Sequence, residues 1–370
     1  MHGSFRVGRI FGIPVRLHWS LLAIGGLLAF QLAGGLLPDA HPGHSTITYT
    51  AVGAAAAVVF FVTVLAHELA HALTARRYAM PVESIDLWAL GGVTRLRSAA
   101  RTPKAEWRIA AAGPLMSLLC AALFALAAYV VEQGPGAGLI PIALWWLAVV
   151  NLVLAVFNAL PAAPLDGGRV LSGVLWRLSG DRFRASQTAA VAGWMLGWTL
   201  VGLGVTLTLR HGNGIFIGLL GLFLVGAARA EQHAAEIRGS IAGTRVRDVT
   251  WFGVARASSD TDARTMLRQR LRMGGLGVVA VNDEDGRVAG FVSEGQLVRA
   301  RDGGRGDAPL RALAVPADRV GRAELDEELS DALSRIHPRL PMVAVWDSGE
   351  LVGMVANDAV EERLAGPREH

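Results

Sequence analysis

The chain has 370 residues, 52% of them hydrophobic, and its mean hydropathy of +0.40 is too high for an ordinary soluble protein. Its single cysteine, Cys120, excludes an intrachain disulfide and a cysteine metal cluster. Residues 1–230 carry 16 Arg and Lys against 8 Asp and Glu, whereas residues 231–370 carry 19 against 23. A basic, apolar first part suits a lipid bilayer with anionic headgroups, and the aromatic-plus-basic pattern of a nucleic-acid surface is missing, so we expect no nucleic-acid partner.

Six apolar stretches are long enough to cross a bilayer. They lie at residues 17–36, 50–74, 109–131, 139–160, 187–208 and 214–230. Arginines precede the first stretch and follow the second and the fourth, while the loops after the first and the third carry neither Arg nor Lys. Because positively charged loops stay in the cytoplasm, the pattern predicts a multi-pass membrane protein with both termini cytoplasmic.

The segment between the second and third stretches reads VESIDLWALGGVTRLRS. Apolar and polar residues alternate on both sides of Gly91 and Gly92, which is typical of two short strands joined by a turn. We expect a short β-hairpin at the cytoplasmic surface of the membrane.

The composition changes after about residue 240, where short strand-like runs alternate with helix-like runs. GVVAVNDEDGRVAGFVSEGQLV aligns with PMVAVWDSGELVGMVANDAV, which indicates an internal repeat with a period of roughly 60 residues in a soluble α/β tail. We therefore expect a membrane domain at 1–235, a linker at 236–245 and a tail at 246–370, with repeats near 246–305 and 306–365.

His67, Glu68 and His71 lie in the second apolar stretch, in the sequence AHELAHA. Residues four apart share a helix face, so both imidazoles can bind one metal ion with Glu68 beside it. This is the H-E-x-x-H pattern of zinc hydrolases, in which the metal brings a bound water to a pKa near ~7 and the glutamate is the general base. A charge near mid-bilayer costs at least ~2.5–3.5 kcal/mol, so the pattern favours a functional site over a polar contact between spans.

Asp166 is the candidate third ligand that such a zinc site needs. Of the eight acidic residues in 1–230, only Glu68 and Asp166 lie near membrane depth. The surrounding NALPAAPLDGG favours irregular backbone, because proline interrupts a helix and glycine permits close approach. Taken alone, Asp166 also fits a simple turn aspartate. We expect a His₂Asp site with its turn shaped by Pro161, Pro164, Gly167 and Gly168.

Asn151 and Asn158 are seven residues apart and so share one helix face. Either amide could donate to a substrate carbonyl or a developing oxyanion, and either could equally join two spans. Gly91 and Gly92 are likewise open to two interpretations, a plain turn or a strand edge that pairs with an extended substrate.

The joint presence and order of several motifs resembles the site-2 protease family of intramembrane zinc metalloproteases. They are HELAH, AAGPL at 111–115, NALPAAPLDGG, GIPVRLHWS and LGGVTRL. The resemblance implies that His67, His71 and Asp166 bind one zinc ion and that Glu68 is the base. It also implies cleavage of single-pass membrane proteins within or near their spans, such as anti-sigma factors in a bacterial inner (plasma) membrane, after a first cut by another protease.

The tail resembles a tandem pair of cystathionine-β-synthase (CBS) domains, which implies regulation, adenine-nucleotide binding or homodimerisation. The acid that holds ribose in such pairs is missing here. The corresponding segments read Ser293 to Gln296 (SEGQ) and Ala356 to Ala359 (ANDA). The departure argues against a nucleotide and leaves dimerisation or substrate gating as the expected role.

The sequence therefore predicts a polytopic α-helical membrane protein with about six transmembrane helices, a short membrane-surface β-hairpin and a soluble α/β C-terminal CBS pair. The leading function is a zinc-dependent intramembrane endopeptidase. The alternative is a transporter or metal-responsive regulator gated by the CBS pair. Transport predicts polar residues spread along several spans, whereas here they concentrate at one depth on the second and fourth, which favours a site.

Overall fold

The computed structural model describes residues 4–89, 91–96, 99–134, 138–241, 243–269, 277–333, 335 and 342–356. The chain divides into two compact units, Met1–Glu236 and Ile237–His370. The first holds the apolar helices and one small sheet, and the second holds two sheets with short helices.

Six helices of the described chain are long and apolar enough to cross a membrane, which confirms the six predicted spans. The first crossing, Ser20–Ala40, consists of α1 (Ser20–Gln31), a π-helical turn (Leu32–Leu36) and α2 (Leu37–Ala40). The others are α3 (Thr46–Arg77), α4 (Pro103–Glu132), α5 (Ile140–Ala159), α7 (Arg182–His211) and α8 (Ile215–Ile241), with the short α6 (Asp166–Ser179) between α5 and α7.

Helix α3 is longer than the apolar stretch that predicts it. Its N-cap is Ser45, whose side chain accepts a hydrogen bond from the backbone N–H of Thr48. Its last turn carries Arg76 and Arg77, whose positive charges interact favourably with the negative end of the helix dipole. The polar ends therefore lie outside the hydropathy pattern but still belong to the helix.

A four-stranded sheet packs beside α3, in the order β1 (Ser4–Ile10), β2 (Ile13–His18), β3 (Val82–Trp88) and β4 (Gly91–Leu96). The predicted hairpin is confirmed as β3 and β4, which pair antiparallel, with Trp88 opposite Gly91. The N-terminal hairpin was not predicted, although apolar and polar residues alternate from Ser4 to Val7 and from Ile13 to His18, which was the available signal. It joins the sheet through parallel pairing of β2 with β3.

The sheet is fixed to α3 by a buried apolar cluster. The cluster consists of Ile13, Leu21, Val64, Ala72, Ile85 and Leu87. Val64 and Ala72 flank the His67–His71 segment of α3, so burial of these side chains holds the sheet against the part of the helix that carries the candidate site.

The turn between α5 and α6, residues 160–165, places Asp166 at the first position of α6. Pro161 and Pro164 are exposed in this turn, and Leu165 is extended. Gly167 and Gly168 lie directly against backbone atoms of the same turn, where a β-carbon would overlap Leu160 and Ala163. These contacts curl the turn back onto the first turn of α6.

Helix α7 contacts this turn from another side. The backbone N–H of Ala163 donates to the carbonyl of Ala189 at 3.0 Å. A β-carbon on Gly193 would overlap the carbonyl oxygen of Ala163. The position of the turn therefore depends on the absence of a side chain at Gly193.

The C-terminal unit contains two sheets with the same pattern of pairing. One has the order β6 (Ala255–Ser258), β7 (Val278–Asn282), β8 (Val288–Ser293) and β9 (Val315–Pro316). The other has the order β10 (Gly321–Glu324), β11 (Met342–Asp347), β12 (Glu350–Ala356) and β5 (Trp251–Phe252). In each, a parallel pair is followed by two antiparallel pairings.

The two repeats exchange their terminal strands. β5 comes early in the unit but pairs with β12, and β9 comes after α10 (Glu294–Asp302) but pairs with β8. The remaining helices are α9 (Ala263–Arg268), α11 (Leu310–Leu313) and α12 (Leu329–Leu333). The exchange ties the repeats into one unit, because each sheet is completed by a segment from outside its own half.

We expect Gly193→Ala to lower the free energy of unfolding by about 1–3 kcal/mol, because the added methyl group overpacks the contact with Ala163. Thermal unfolding of the purified protein in detergent measures the change. The matched control is Gly202→Ala on the same helix, where a β-carbon meets no atom within 4 Å. Equal unfolding midpoints for the two variants would contradict the close approach.

Candidate metal centre

Three potential metal ligands from two helices converge at one point. His67 and His71 lie one turn apart on α3, and Asp166 begins α6. The Nε2 atoms of the histidines are 3.1 Å apart, and Oδ2 of Asp166 lies 3.1 Å from His67 Nε2 and 3.2 Å from His71 Nε2. In the described part of the chain, this is the one group of three such ligands.

The spacing of these atoms fits a tetrahedral zinc ion. Ligand atoms at ~2.0–2.1 Å from zinc are about 3.3 Å apart at tetrahedral angles, close to the observed separations. The donor set of two imidazoles and a carboxylate also suits zinc, and three protein ligands leave a fourth position for water or substrate. Both histidines are buried, and buried polar groups are costly unless they are paired, so a cation bound by all three side chains would compensate for their burial.

The electrostatics of Asp166 are consistent with a ligand. The Asp166 carboxylate lies within 3.2 Å of both Nε2 atoms and is only partly exposed, so it faces the two imidazoles. A carboxyl binds a cation in its ionised form, and a bound cation in turn favours that form.

Helix α4 orients both imidazoles. Nδ1 of His71 lies 2.7 Å from the carbonyl oxygen of Ile109, and Nδ1 of His67 lies 2.8 Å from Oγ of Ser117. A carbonyl can only accept, so His71 carries its proton on Nδ1 and presents the Nε2 lone pair to the centre. Ser117 is fully buried, which fixes its hydroxyl beside His67.

Gly113 on α4 leaves space at the centre. A β-carbon at this position would overlap Nε2 of both His67 and His71. Ile109, Gly113 and Ser117 are four residues apart and so form one stripe of α4 facing the imidazoles. Sequence reasoning missed these roles, although Gly113 lies in AAGPL. The spacing of small and polar residues in an apolar helix was the available signal.

An ion-pair cluster joins α6 to the neighbouring helices. Glu106 of α4 is buried, and its carboxylate lies 3.4 Å from Nε of Arg169 on α6 and 3.4 Å from a guanidinium nitrogen of Arg182 on α7. The three helices α4, α6 and α7 therefore meet at one carboxylate, three residues along α6 from Asp166. The cluster was not predicted, since the partners of Glu106 are far away in sequence.

Glu68 lies beside the two histidines and is 7% exposed. Its Oε2 accepts a hydrogen bond of 2.7 Å from the hydroxyl of Thr94 on β4. Gly92 lies against the same side chain, because a β-carbon there would overlap Glu68. The sequence did not point to Thr94. Gly91 is the first residue of the same strand, next to the turn.

The two asparagines bind their own helix. Asn158 is half-buried, and its amide nitrogen donates to the carbonyl of Leu154. Asn151 is fully buried, and its amide nitrogen donates to the carbonyl of Leu147. In the described part of the chain, the amide oxygen of Asn151 has no hydrogen-bond partner. Neither side chain belongs to the His67–His71–Asp166 group.

We expect Gly113→Ala to abolish metal binding, because its methyl group would take the space between the two Nε2 atoms. Metal content per chain after purification measures the effect. Gly26→Ala, in an apolar helix at a position with no atom within 4 Å of the added carbon, is the control. A Gly113→Ala protein that holds as much metal as the control would contradict this geometry.

One curated relative is similar to this chain over nearly its whole length, and solved structures are similar to parts of it. Rip3 of Mycobacterium tuberculosis, which is named as a zinc metalloprotease, is 36% identical over 376 residues, covering 99% of this chain and 95% of Rip3. The site-2 protease of Methanocaldococcus jannaschii is 27% identical with a TM-score of 0.42, covering 62% of this chain and 95% of that structure. The CBS-domain protein ATU1752 of Agrobacterium tumefaciens is 22% identical with a TM-score of 0.28, covering 32% of this chain and 92% of that structure.

The sequence model of peptidase family M50 matches residues 55–141 and 135–201. These ranges include His67, Glu68, His71 and Asp166, so the family match and the converging side chains fall on the same residues. The match favours the protease over the transporter alternative. With 36% identity to a metalloprotease over almost its full length, the chain belongs to peptidase family M50 and is a multi-pass membrane metalloprotease.

Proposed function

We propose that the protein is a zinc-dependent endopeptidase that cuts single-pass membrane proteins within or near their transmembrane segment. The observation that carries this proposal is the convergence of Asp166, at the start of α6, with His67 and His71 beside Glu68 on the membrane-spanning helix α3. A bond inside a bilayer can be cut only where the catalytic groups lie in the membrane too.

In the proposed mechanism, His67, His71 and Asp166 would hold a zinc ion. A bound zinc ion would supply Lewis acidity and make water at the site acidic near neutral pH. Glu68 accepts a proton from the attacking water and returns it to the leaving amine. The Nδ1–H of His71, fixed by the Ile109 carbonyl, keeps the imidazole in the tautomer that binds the metal.

The substrate is proposed to bind as an extended strand along β4. This strand is at the edge of the described sheet and pairs only with β3 there, so its outer backbone groups are available to another chain. Gly91 and Gly92 have no side chains that could obstruct a substrate strand along that edge. Asn158 is the proposed donor to a substrate carbonyl, while Asn151, being fully buried, stabilises α5 in this proposal.

The proposed location is a bacterial inner membrane with both termini in the cytoplasm, which the distribution of arginines along the loops supports. The proposed substrates are regulators such as anti-sigma factors, cut first by another protease. A substrate that the first protease has already shortened would fit a site enclosed by helices and a sheet.

The C-terminal unit is proposed to regulate the protease and to form a homodimer. Gln296 is at the position where related pairs have the acid that holds ribose. It caps α10 instead, since its side-chain oxygen accepts from the backbone N–H of Ser293 at 2.8 Å. The first repeat therefore offers no carboxylate there, which argues against adenine nucleotide as its ligand. The corresponding residues 357–359 lie outside the described part of the chain.

We expect Glu68→Gln to retain zinc and lose cleavage, because the amide keeps the shape of the side chain but cannot accept the proton. Membrane fractions of cells with wild-type or variant protein are compared by mass spectrometry for single-span proteins that stay uncut. Glu83→Gln, an exposed glutamate on β3, is the matched control. Cleaved products in the Glu68→Gln cells would refute the role of the base.

We expect about one zinc ion per wild-type chain, and its loss in His71→Ala and Asp166→Ala, since a zinc site of this type needs all three ligands. Metal analysis of the purified proteins measures this stoichiometry. His211→Ala, at the end of α7 and outside the ligand group, is the control. Wild-type zinc content in both ligand variants would refute the site.

A further inference from the structure

The Glu68 carboxylate is held by the edge strand β4. The Thr94 hydroxyl lies 2.7 Å from Oε2 of Glu68 and 3.1 Å from the backbone oxygen of the same residue. The single hydroxyl proton goes to one acceptor at a time, and the shorter distance and the negative charge favour the carboxylate. A charge-assisted hydrogen bond of this kind fixes the direction in which the carboxylate points.

Gly92 also contacts the Glu68 side chain. It lies two residues before Thr94, so both positions belong to the same face of β4. A β-carbon at Gly92 would overlap Cγ of Glu68, which means that the side chain lies directly on the strand backbone. Glu68 is therefore confined by steric contact at Gly92 and aligned by the hydrogen bond from Thr94.

The strand that aligns Glu68 is itself fixed. Thr94 is paired with Ile85 on β3, and Ile85 is fully buried in the cluster that packs on α3. Asp86 of β3 is buried and accepts from Nε of Arg95 at 2.6 Å and from the Ser84 hydroxyl at 3.0 Å. The ion pair joins β4 to β3, and the burial of Ile85 joins β3 to α3, so β4 is attached to α3 through β3.

The contacts of Glu68 are separate from those of the metal ligands. Ser117 and Ile109 of α4 bind the imidazoles, whereas the hydroxyl of Thr94 binds Glu68. We propose that Thr94 is a positioning residue that aims the Glu68 carboxylate, so that β4 sets the geometry of the base while α4 and α6 set the geometry of the metal. This inference rests on the proposed function, since it assumes that Glu68 is the base.

The strand that aligns the base, β4, is also the strand proposed to pair with substrate. A substrate segment along the outer edge of β4 would hold in place the same backbone that carries Gly92 and Thr94. The base would therefore be best aligned when a substrate is paired. The effect of losing Thr94 is accordingly expected in the chemical step rather than in binding.

The test compares Thr94→Val, which removes the hydroxyl and keeps the shape, with Thr94→Ser, which keeps the hydroxyl. The substrate is a single-span protein that stays uncut in Glu68→Gln cells, reconstituted with each variant in liposomes. We expect Thr94→Val to lower kcat about tenfold or more, with KM and zinc content unchanged, and Thr94→Ser to restore most of kcat. Thr208→Val is the control, because its half-buried hydroxyl donates to the carbonyl of Gly204, away from the site.

Each outcome decides between the alternatives. Wild-type kcat in Thr94→Val, or loss of zinc in that variant, would overturn the positioning role. If Thr94→Val does not fold, Thr94→Ser decides, because near-normal kcat supports the hydroxyl and a fall to the level of Glu68→Gln overturns it. Cleavage by Glu68→Gln would instead refute the proposed function, while an inactive Glu68→Gln with a fully active Thr94→Val refutes only this inference.

Discussion

The meeting of Asp166 with His67 and His71 is the constraint on which the membrane unit is built. The carboxylate and the first imidazole are 99 residues apart in sequence, yet their atoms lie 3.1 Å apart in an apolar surrounding. A buried carboxylate is costly unless it is paired, and a metal ion that binds all three groups would offset that cost. The surrounding helices are arranged to allow this approach.

Small residues make the approach possible. Gly113 leaves room at the centre, and Gly167 and Gly193 allow the turn before Asp166 to lie against its neighbours. In a bilayer, helices gain little from the hydrophobic effect between them, so close van der Waals contact at small residues is a principal source of packing energy. The same contacts that hold the helices together therefore also set the distance between α3 and α6.

Two different elements orient the side chains of the site. Helix α4 fixes the imidazoles through Ile109 and Ser117, and strand β4 fixes Glu68 through Thr94. His67, Glu68 and His71 are adjacent on α3, but the imidazoles and the carboxylate are oriented by different elements. Under the proposed function, this separation would let a substrate paired with β4 align the base without disturbing the metal ligands.

Much of the architecture follows from local patterns in the sequence. Apolar length predicts the six crossings, the spacing of four places both histidines on one helix face, and alternation around Gly91 and Gly92 predicts the hairpin. The repeat in the tail and Asp166 as candidate ligand also come from the sequence alone. These features were accessible because each depends on a short stretch of chain or on membrane depth.

The tertiary structure alone decided which other residues surround the site. Gly113, Ser117 and Ile109 acquire their roles by facing α3, and Thr94 does so because the sheet packs on that helix. The parallel pairing of β2 with β3 and the contacts of Glu106 with Arg169 and Arg182 likewise join distant segments. A sequence determines the periodicity of each element directly, whereas the distances between elements depend on how all the side chains pack together.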